Sequence, residues 1–235
     1  MNIIITGASK GIGFELAKNF YKRGQHHIIA ISRNKERLNT LKVTCESINI
    51  NSKIDIIATD LNSILLDTRI LLQSIKQCFK KVDILINNAG LLINKSFNMI
   101  EEEEKKRIFN TNFFIPAKLT EVLIPFFNNP SHVINIGSMG GYQGSSKFPG
   151  LSYYSASKGA LAILTECLAE EYKEKQIYFN CLALGSVQTE MLDKAFPGYK
   201  APLLANEIAE FIADFAINGY KYFNGKILPV SISTP

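Results

Sequence analysis

Three residues in the middle of the chain have the types and spacing for acid–base chemistry at a carbonyl group. Ser138 follows an apolar run, and Tyr154 and Lys158 begin a helical pattern further along. A tyrosine and a lysine four positions apart share one face of a helix. The lysine ammonium favours the phenolate, so the pair suits a tyrosine that exchanges a proton with a carbonyl oxygen. Ser138 would hold the same oxygen by a hydrogen bond.

A glycine-rich loop near the N-terminus has the composition of a phosphate-binding turn. It reads Thr6-Gly7-Ala8-Ser9-Lys10-Gly11-Ile12-Gly13 between an apolar run and a helical pattern. Glycines let the backbone approach a pyrophosphate, and the helix N-terminus attracts the anion. The loop also fits a Gly-x-Ser-x-Gly nucleophile elbow, which needs an acid and then a histidine downstream. Because His132 opens an apolar strand at the wrong end for that site, we reject the hydrolase interpretation.

The second apolar run ends in Ser32-Arg33 rather than in an acidic residue. Folds that bind NAD usually place Asp or Glu there, to accept a hydrogen bond from the ribose 2′-hydroxyl. A 2′-phosphate can instead pair with the Arg33 guanidinium, and Lys10 adds a second positive charge. Each cation alone would also fit a solvated surface. Together with the missing acid they predict NADPH or NADP+ as cofactor, with NADH less favoured.

Short apolar runs alternate with amphipathic stretches along the chain. Because these runs are nearly continuously apolar, they predict strands that are covered on both faces. The alternation predicts an α/β fold: a single Rossmann-type domain over residues 1–235, with a doubly wound parallel sheet of about seven strands and helices on both faces. The predicted strands are 2–6, 27–32, 53–58, 82–86, 132–137, 177–182 and 226–230. The predicted helices are 12–23, 35–48, 64–79, 101–127, 154–175 and 206–218.

An ordered series of motifs resembles the short-chain dehydrogenase/reductase family from Thr6 to Val230. The series consists of the glycine loop, Asp60-Leu61, Asn87-Asn88-Ala89-Gly90, Asn112, Ser138 and Tyr154-x-x-x-Lys158. Each motif alone has a structural explanation, such as turn chemistry for Asp60 and Asn87-Asn88 or a hydrogen bond inside a helix for Asn112. The complete set in this order is specific to the family.

The resemblance implies a role for each catalytic candidate. Tyr154 would be the general acid and base, and Lys158 would bind the nicotinamide ribose while lowering the tyrosine pKa. Ser138 would orient the substrate carbonyl. Asn112 would anchor a water that links Lys158 to solvent for reprotonation.

The resemblance also implies a set of cofactor-binding residues. Asp60 would meet the adenine amino group, Asn88-Ala89-Gly90 would line the cofactor floor, and Val187 and Thr189 would reach the carboxamide. The full set is Gly7, Ser9, Lys10, Gly11, Ile12, Gly13, Arg33, Asp60, Leu61, Asn88, Ala89, Gly90, Tyr154, Lys158, Val187 and Thr189.

Two segments carry the departures from the family pattern. Between Ser138 and Tyr154 the chain is about three residues longer than usual, and the glycines there are expected to supply slack. Leu184 stands where the family usually has proline, although Gly185 keeps the turn possible. Residues 190–205 are a candidate short lid over the substrate. Substrate specificity is therefore expected in residues 140–152 and 190–205.

Charge and cysteine content limit the partners. Lys and Arg number 26 and Asp and Glu 21, a net charge of +5 without a dense basic run, so no nucleic-acid partner is expected. Cys45, Cys78, Cys167 and Cys181 are far apart and predict free thiols, and no metal site is predicted. No apolar stretch approaches the roughly 20 residues of a membrane span, and no signal peptide is recognised. A cytoplasmic protein is expected.

The leading functional hypothesis is an NADPH-dependent carbonyl reductase that acts on a 3-oxoacyl thioester of acyl-carrier protein. A sepiapterin reductase-like activity on a pteridine or other small carbonyl compound is the alternative. A non-catalytic NADP(H)-sensing protein is the alternative from another class, although such proteins typically lose the tyrosine or the lysine. By analogy with the family, the helices at 101–127 and 154–175 would pack across a two-fold axis in a homodimer or homotetramer.

Overall fold

A twisted parallel sheet carries the candidate residues on the loops at one of its edges. The computed structural model describes residues 1–48 and 51–232. In that part of the chain, seven strands form one sheet in the order β3-β2-β1-β4-β5-β6-β9, and β7 pairs separately with β8. The strands are β1 Asn2–Thr6, β2 His27–Ser32, β3 Lys53–Ala58, β4 Val82–Asn87, β5 Phe127–Ile136, β6 Ile177–Leu184, β7 Val187–Gln188, β8 Leu203–Leu204 and β9 Lys226–Val230.

Helices cover both faces of this sheet. The α-helices are α1 Gly11–Arg23, α2 Lys35–Glu46, α3 Arg69–Cys78, α4 Glu102–Phe109, α5 Ile115–Leu123, α6 Ser152–Glu171, α7 Glu190–Ala195 and α8 Ala205–Asn218. Local signals in the sequence start several of them. The Asn34 side chain accepts a hydrogen bond from the Arg37 amide at the start of α2, and Glu101 and Glu104 form a capping box at α4.

Successive residues of β1 show why the central strands are mainly apolar. Ile3 and Ile5 pack into the core that lies under α1, α2 and α8, whereas Ile4 packs into the core under α3, α5 and α6. All three are fully buried. Side chains alternate between the faces of a strand, so a sheet with two covered faces has no position for an exposed residue.

The predicted α/β fold and its seven-stranded parallel sheet are confirmed, and the differences concern where elements end. β5 begins at Phe127, so Asn128, Asn129 and Pro130 lie in a strand, although the predicted helix 101–127 and the predicted strand 132–137 left them between elements. The predicted helix 64–79 is a 3₁₀ turn, Leu61–Leu65, followed by α3. The predicted helix 101–127 contains a π-helical segment, Asn110–Phe114, between α4 and α5. Helix 35–48 ends at Glu46, and residues 49–50 lie outside the described chain.

The strand order reverses between β1 and β4. β1 pairs with β2 on one side and with β4 on the other, and all of these pairings are parallel. The chain therefore leaves the two strands in opposite directions and opens a crevice beyond their carboxyl ends. Ligands of doubly wound sheets bind at such a point.

His132 lies inside β5, away from this crevice. Its side chain is 1% exposed. Nδ1 lies 3.0 Å from the Ala216 carbonyl oxygen, and Nε2 lies 2.9 Å from the amide nitrogen of the Asn180 side chain. Burial lowers the pKa of His132 to about 4, although the hydrogen bond to Ala216 opposes the shift. The ring is therefore neutral in the folded protein near pH 7 and plays a structural role.

We predict that His132 makes the protein less stable in mild acid. The unfolded chain binds a proton at this ring near pH 6.5 and the folded chain only near pH 4, so stability falls as pH decreases across that interval. The expected loss is at most about 3 kcal/mol for one group. Chemical denaturation of wild type and His132→Asn between pH 7 and pH 4 measures it. The variant should show a shallower slope, and parallel curves would contradict the assignment.

Candidate active site

A cavity of about 610 Å³ opens beyond the carboxyl ends of the central strands. This volume is within the range of small-molecule sites. Its walls contain most of the residues predicted from the sequence. They include Gly7, Ser9, Lys10, Gly11, Ile12, Arg33, Asp60, Leu61, Asn88, Ala89, Gly90, Ser138, Tyr154, Lys158, Val187 and Thr189.

The glycine loop is held against the loop that follows β4. The Thr6 hydroxyl oxygen accepts hydrogen bonds from the Asn88 and Ala89 amides, each at 3.0 Å. The Asn88 side chain donates back to the carbonyl oxygens of Thr6, at 3.0 Å, and Gly7, at 3.3 Å. These bonds connect the carboxyl ends of β1 and β4 directly.

Two glycines permit that contact. A Cβ on Gly7 would lie 2.8 Å from the Ala89 Cα atom, and φ of Gly7 is +69°. A Cβ on Gly13 would lie 2.5 Å from the Gly7 carbonyl oxygen. Gly13 therefore does not line the cavity but supports the loop from behind. The glycine loop and the N-terminus of α1 fit the diphosphate of a dinucleotide.

The end of the cavity beyond β2 is rich in charge. Burial raises the pKa of Asp60, but hydrogen bonds from Asn62 and the nearby charge of Arg33 outweigh it, and the net pKa lies below its ordinary value. The Ser32 hydroxyl donates to Ser9 at 2.8 Å, so Ser9 contacts β2 and has no histidine partner. Lys10 forms an ion pair with Glu190 across the cavity mouth, at 2.8 Å.

Ser138, Tyr154 and Lys158 meet on one wall of the cavity. Tyr154 and Ser138 are hydrogen-bonded, and Ser138 Oγ also accepts from the Gly140 amide at 3.1 Å. Lys158 is 4% exposed, and its Nζ donates to the Ile136 carbonyl oxygen at 2.7 Å. Ser138 comes from the loop after β5, and Tyr154 and Lys158 come from the first turns of α6.

Burial shifts both ionisable groups of this wall towards their neutral forms. It raises the pKa of Tyr154, and the hydrogen bond with Ser138 only partly opposes it. It lowers the pKa of Lys158 to about 8, with nearby Cys181 opposing the shift. The resemblance implies a lowering of the tyrosine pKa by Lys158; burial outweighs it here, and the net pKa of Tyr154 lies above its ordinary value. Tyr154 carries its proton at neutral pH.

Asn112 supports the site from within the π-helical segment. It is fully buried and does not line the cavity. Its Oδ1 accepts from the Leu91 amide at 2.8 Å, and its Nδ2 donates to the Leu91 carbonyl at 2.9 Å and to Ser157 Oγ at 3.0 Å. The side chain thus joins the loop after β4 to α6, the helix of Tyr154 and Lys158.

The first residues after Ser138 pack tightly against α6. A Cβ on Gly141 would lie 2.6 Å from the Gly159 amide nitrogen, and one on Gly140 would lie 2.9 Å from Ser155 Oγ. Lys147 Nζ donates to the Tyr142 carbonyl at 2.6 Å. These two glycines therefore provide close approach to α6 rather than the expected slack.

The remaining wall of the cavity is mainly apolar. Phe148 and Leu151 come from the long loop, and Leu192, Phe196 and Tyr199 come from α7 and the residues after it. Both segments were expected to determine specificity, but the sequence alone did not indicate which side chains face inwards. Leu91, Leu92, Arg107, Thr111, Met139 and Glu190 also line the cavity and were not predicted.

Leu184 extends the sheet at the position where the family usually has proline. It pairs with Val230 in the ladder between β6 and β9. Gly185 follows, and a Cβ there would lie 2.3 Å from Ser231 Oγ. The turn is thus preserved by the glycine.

Within residues 1–48 and 51–232, no group of three or more His, Cys, Asp and Glu side chains is placed to hold a metal ion. No helix in this part of the chain has the length and apolar character needed to cross a membrane.

Comparison with known proteins agrees with this geometry. The family model of short chain dehydrogenases matches residues 1–200. Dehydrogenase/reductase SDR family member 7B of Xenopus laevis is 32% identical over 203 residues, which is 83% of this chain and 61% of that protein. The 3-oxoacyl-acyl-carrier-protein reductase of Chlamydia trachomatis is 27% identical over 248 residues, which is 97% of this chain and 94% of that protein.

A solved structure has the same fold. The 3-ketoacyl-acyl-carrier-protein reductase of Brucella melitensis, complexed with NADH, superposes with a TM-score of 0.85 at 26% identity. The match covers 98% of this chain and 96% of that one. The chain belongs to the short-chain dehydrogenase/reductase family of oxidoreductases.

Proposed function

We propose that the protein is an NADPH-dependent reductase that converts a carbonyl group to a secondary alcohol. The observation that carries this proposal is the meeting of Ser138, Tyr154 and Lys158 on one wall of a cavity whose other end is the glycine loop. The cofactor, when bound, supplies the hydride. The residues of the chain bind the two reactants, orient them and supply the proton.

Tyr154 is the proton donor in this proposal. Its raised pKa keeps the phenol protonated, as a general acid requires. Ser138 holds the carbonyl oxygen beside the Tyr154 hydroxyl group and stabilises the negative charge that develops there. Lys158 holds the nicotinamide ribose, and its positive charge favours the phenolate that forms when the proton leaves. Asn112 positions Lys158 through Ser157 and Leu91.

Cations at the adenine end support NADPH over NADH. Arg33 and Lys10 line this end, and the nearby carboxylate that follows β3 is Asp60, which caps a 3₁₀ turn through Asn62. A guanidinium binds a phosphate in a two-pronged geometry that a ribose hydroxyl does not offer. The proposed contacts of Val187 and Thr189 would place the nicotinamide carboxamide of the cofactor at the opposite end of the cavity, near Tyr154.

For the substrate, we propose a 3-oxoacyl thioester. Two relatives that match nearly the whole chain are reductases of such substrates by name. The apolar wall of Phe148, Leu151 and Leu192 suits an acyl chain. A second candidate is a pteridine carbonyl compound, because Phe148, Phe196 and Tyr199 offer aromatic rings to a planar heterocycle. Intact Tyr154 and Lys158 favour an enzyme over a sensor of NADP(H).

Exposed apolar side chains near α5 and on α6 support a homodimer or homotetramer. Phe114, at the end of the π-helical segment before α5, exposes 48% of its surface, and Ile163 on α6 exposes 58%. Apolar side chains exposed to this extent are common in subunit contacts. Free Cys45, Cys78, Cys167 and Cys181 support a reducing, cytoplasmic location.

Replacing Tyr154 with phenylalanine should abolish turnover. Removal of the proton donor is expected to lower kcat by about 10²- to 10⁴-fold while NADPH affinity changes by no more than a few-fold. Oxidation of NADPH with a panel of carbonyl compounds measures turnover, and fluorescence titration measures affinity. Tyr153→Phe is the matched control, because Tyr153 stacks on Phe97 outside the cavity. Full activity of Tyr154→Phe would refute the mechanism.

Replacing Arg33 with aspartate should shift the cofactor preference towards NADH. The carboxylate repels a 2′-phosphate and can accept a hydrogen bond from a ribose hydroxyl, so the ratio of NADPH to NADH affinity should fall by about tenfold or more. Lys22→Asp, at an exposed position near the far end of α1, makes the same charge change as a control. An unchanged ratio would rule out the Arg33 assignment.

The substrate class is tested by the ratio of kcat/KM on a 3-oxoacyl thioester to kcat/KM on sepiapterin. The proposal predicts a ratio above one for NADPH-dependent reduction. A ratio below one would replace the thioester with the pteridine. Tight NADPH binding without reduction of either compound would indicate the sensor instead.

A further inference from the structure

Glu190 holds two cations that come from different parts of the sequence. Its carboxylate lies 2.8 Å from Lys10 Nζ, and 2.9 Å (Oε1) and 3.2 Å (Oε2) from Arg37 Nη1. All three side chains are partly exposed. Hydrogen bonds from Lys10 and then Arg37 lower the pKa of Glu190, so the carboxylate is charged at neutral pH.

The three residues join three elements around the adenine end of the cavity. Lys10 belongs to the glycine loop, Arg37 to the first turn of α2 and Glu190 to the first turn of α7. Lys10 and Glu190 line the cavity together with Arg33, whereas Arg37 stands outside its wall. Glu190 is thus the acid that pairs with two of the cations near the position where the proposed 2′-phosphate would be bound, whereas Asp60 caps the 3₁₀ turn after β3.

We propose that Glu190 determines cofactor specificity by competing with the 2′-phosphate of NADPH for Lys10. This inference rests on the proposed use of NADPH. When NADPH binds, Lys10 turns from the carboxylate to the phosphate, and Arg37 keeps Glu190 paired. When NADH binds, there is no phosphate to attract Lys10, and its pair with Glu190 stays intact.

The strengths of these interactions allow such an exchange. Ion pairs between exposed side chains contribute little to stability, so Lys10 can leave Glu190 at small cost. A phosphate carries more negative charge than a carboxylate and accepts stronger hydrogen bonds from a cation. The second partner matters because an unpaired Glu190 would repel the incoming phosphate. Arg37 therefore acts on NADPH through Glu190, as a positioning residue.

A purely structural role for these ion pairs makes a different prediction. If Glu190 only attached α7 to the glycine loop, its loss would weaken both cofactors equally or change the KM of the carbonyl substrate alone. The ratio of NADPH to NADH affinity separates the two roles, because only the 2′-phosphate distinguishes the cofactors.

The test measures the Kd of NADPH and NADH for wild type, Glu190→Gln, Arg37→Gln and the double variant. Glu190→Gln should tighten NADPH by about three- to tenfold and leave NADH within about twofold. Arg37→Gln should weaken NADPH by a similar factor. The double variant should behave like Glu190→Gln, since Arg37 acts through the carboxylate. Glu46→Gln, which removes an exposed carboxylate near Lys42 on α2, is the matched control.

Three outcomes would each overturn a different part of the proposal. An unchanged NADPH to NADH ratio in Glu190→Gln would overturn the competition while leaving the NADPH-dependent reductase intact. Equal weakening of NADPH by Arg37→Gln with and without Glu190 would overturn the positioning role of Arg37, because it would mean direct contact with the phosphate. A wild type that binds NADH as tightly as NADPH would refute the proposed cofactor, and the inference with it.

Discussion

The contact between the loops after β1 and β4 is the constraint on which the site depends. The two loops exchange hydrogen bonds through Thr6 and Asn88. Their backbones can approach this closely only because Gly7 and Gly13 have no Cβ. The same contact places the N-terminus of α1 at the point where the strand order reverses. The backbone amides and the partial positive charge of the helix N-terminus then face the cavity. They could bind a diphosphate without a charged side chain.

A second close contact positions the cavity wall that carries Ser138, Tyr154 and Lys158. Gly140 and Gly141 bring the segment after Ser138 against the first turns of α6, and Lys158 donates to the end of β5. Behind this wall, buried amides continue the support: Asn87 donates to Asn135 at 2.8 Å, and Asn135 donates to Thr165 at 2.9 Å. Buried hydrogen bonds favour one arrangement of a core, since an alternative that breaks them leaves further donors or acceptors unpaired. The Asn87 Oδ1 atom itself has no hydrogen-bond partner among the described residues. The tyrosine and serine are thus positioned by packing rather than by their own hydrogen bond alone.

The cavity is divided into two electrostatic regions. Lys10, Arg33, Asp60 and Glu190 stand at the adenine end, where solvent screens them and partners can be exchanged. At the other end Tyr154 and Lys158 are enclosed, and burial drives the pKa of the phenol up and that of the ammonium down. The charges proposed to select the cofactor therefore lie apart from the groups proposed to exchange the proton.

The sequence by itself determined the fold class, the strands and the motif residues, because these signals are local. A fully buried strand must be apolar at every position, and a glycine loop or a Tyr-x-x-x-Lys pair is written in adjacent residues. It did not determine the polar start of β5, where hydrogen bonds to β4 and β6 override weak strand propensity, or the π-helical segment at Asn112. Nor did it indicate that Gly13 and Asn112 support the cavity from behind. Tertiary structure alone brought Glu190 to Lys10 and Arg37, since ion pairs between distant segments leave no short-range pattern and arise only when the loops of one sheet edge converge.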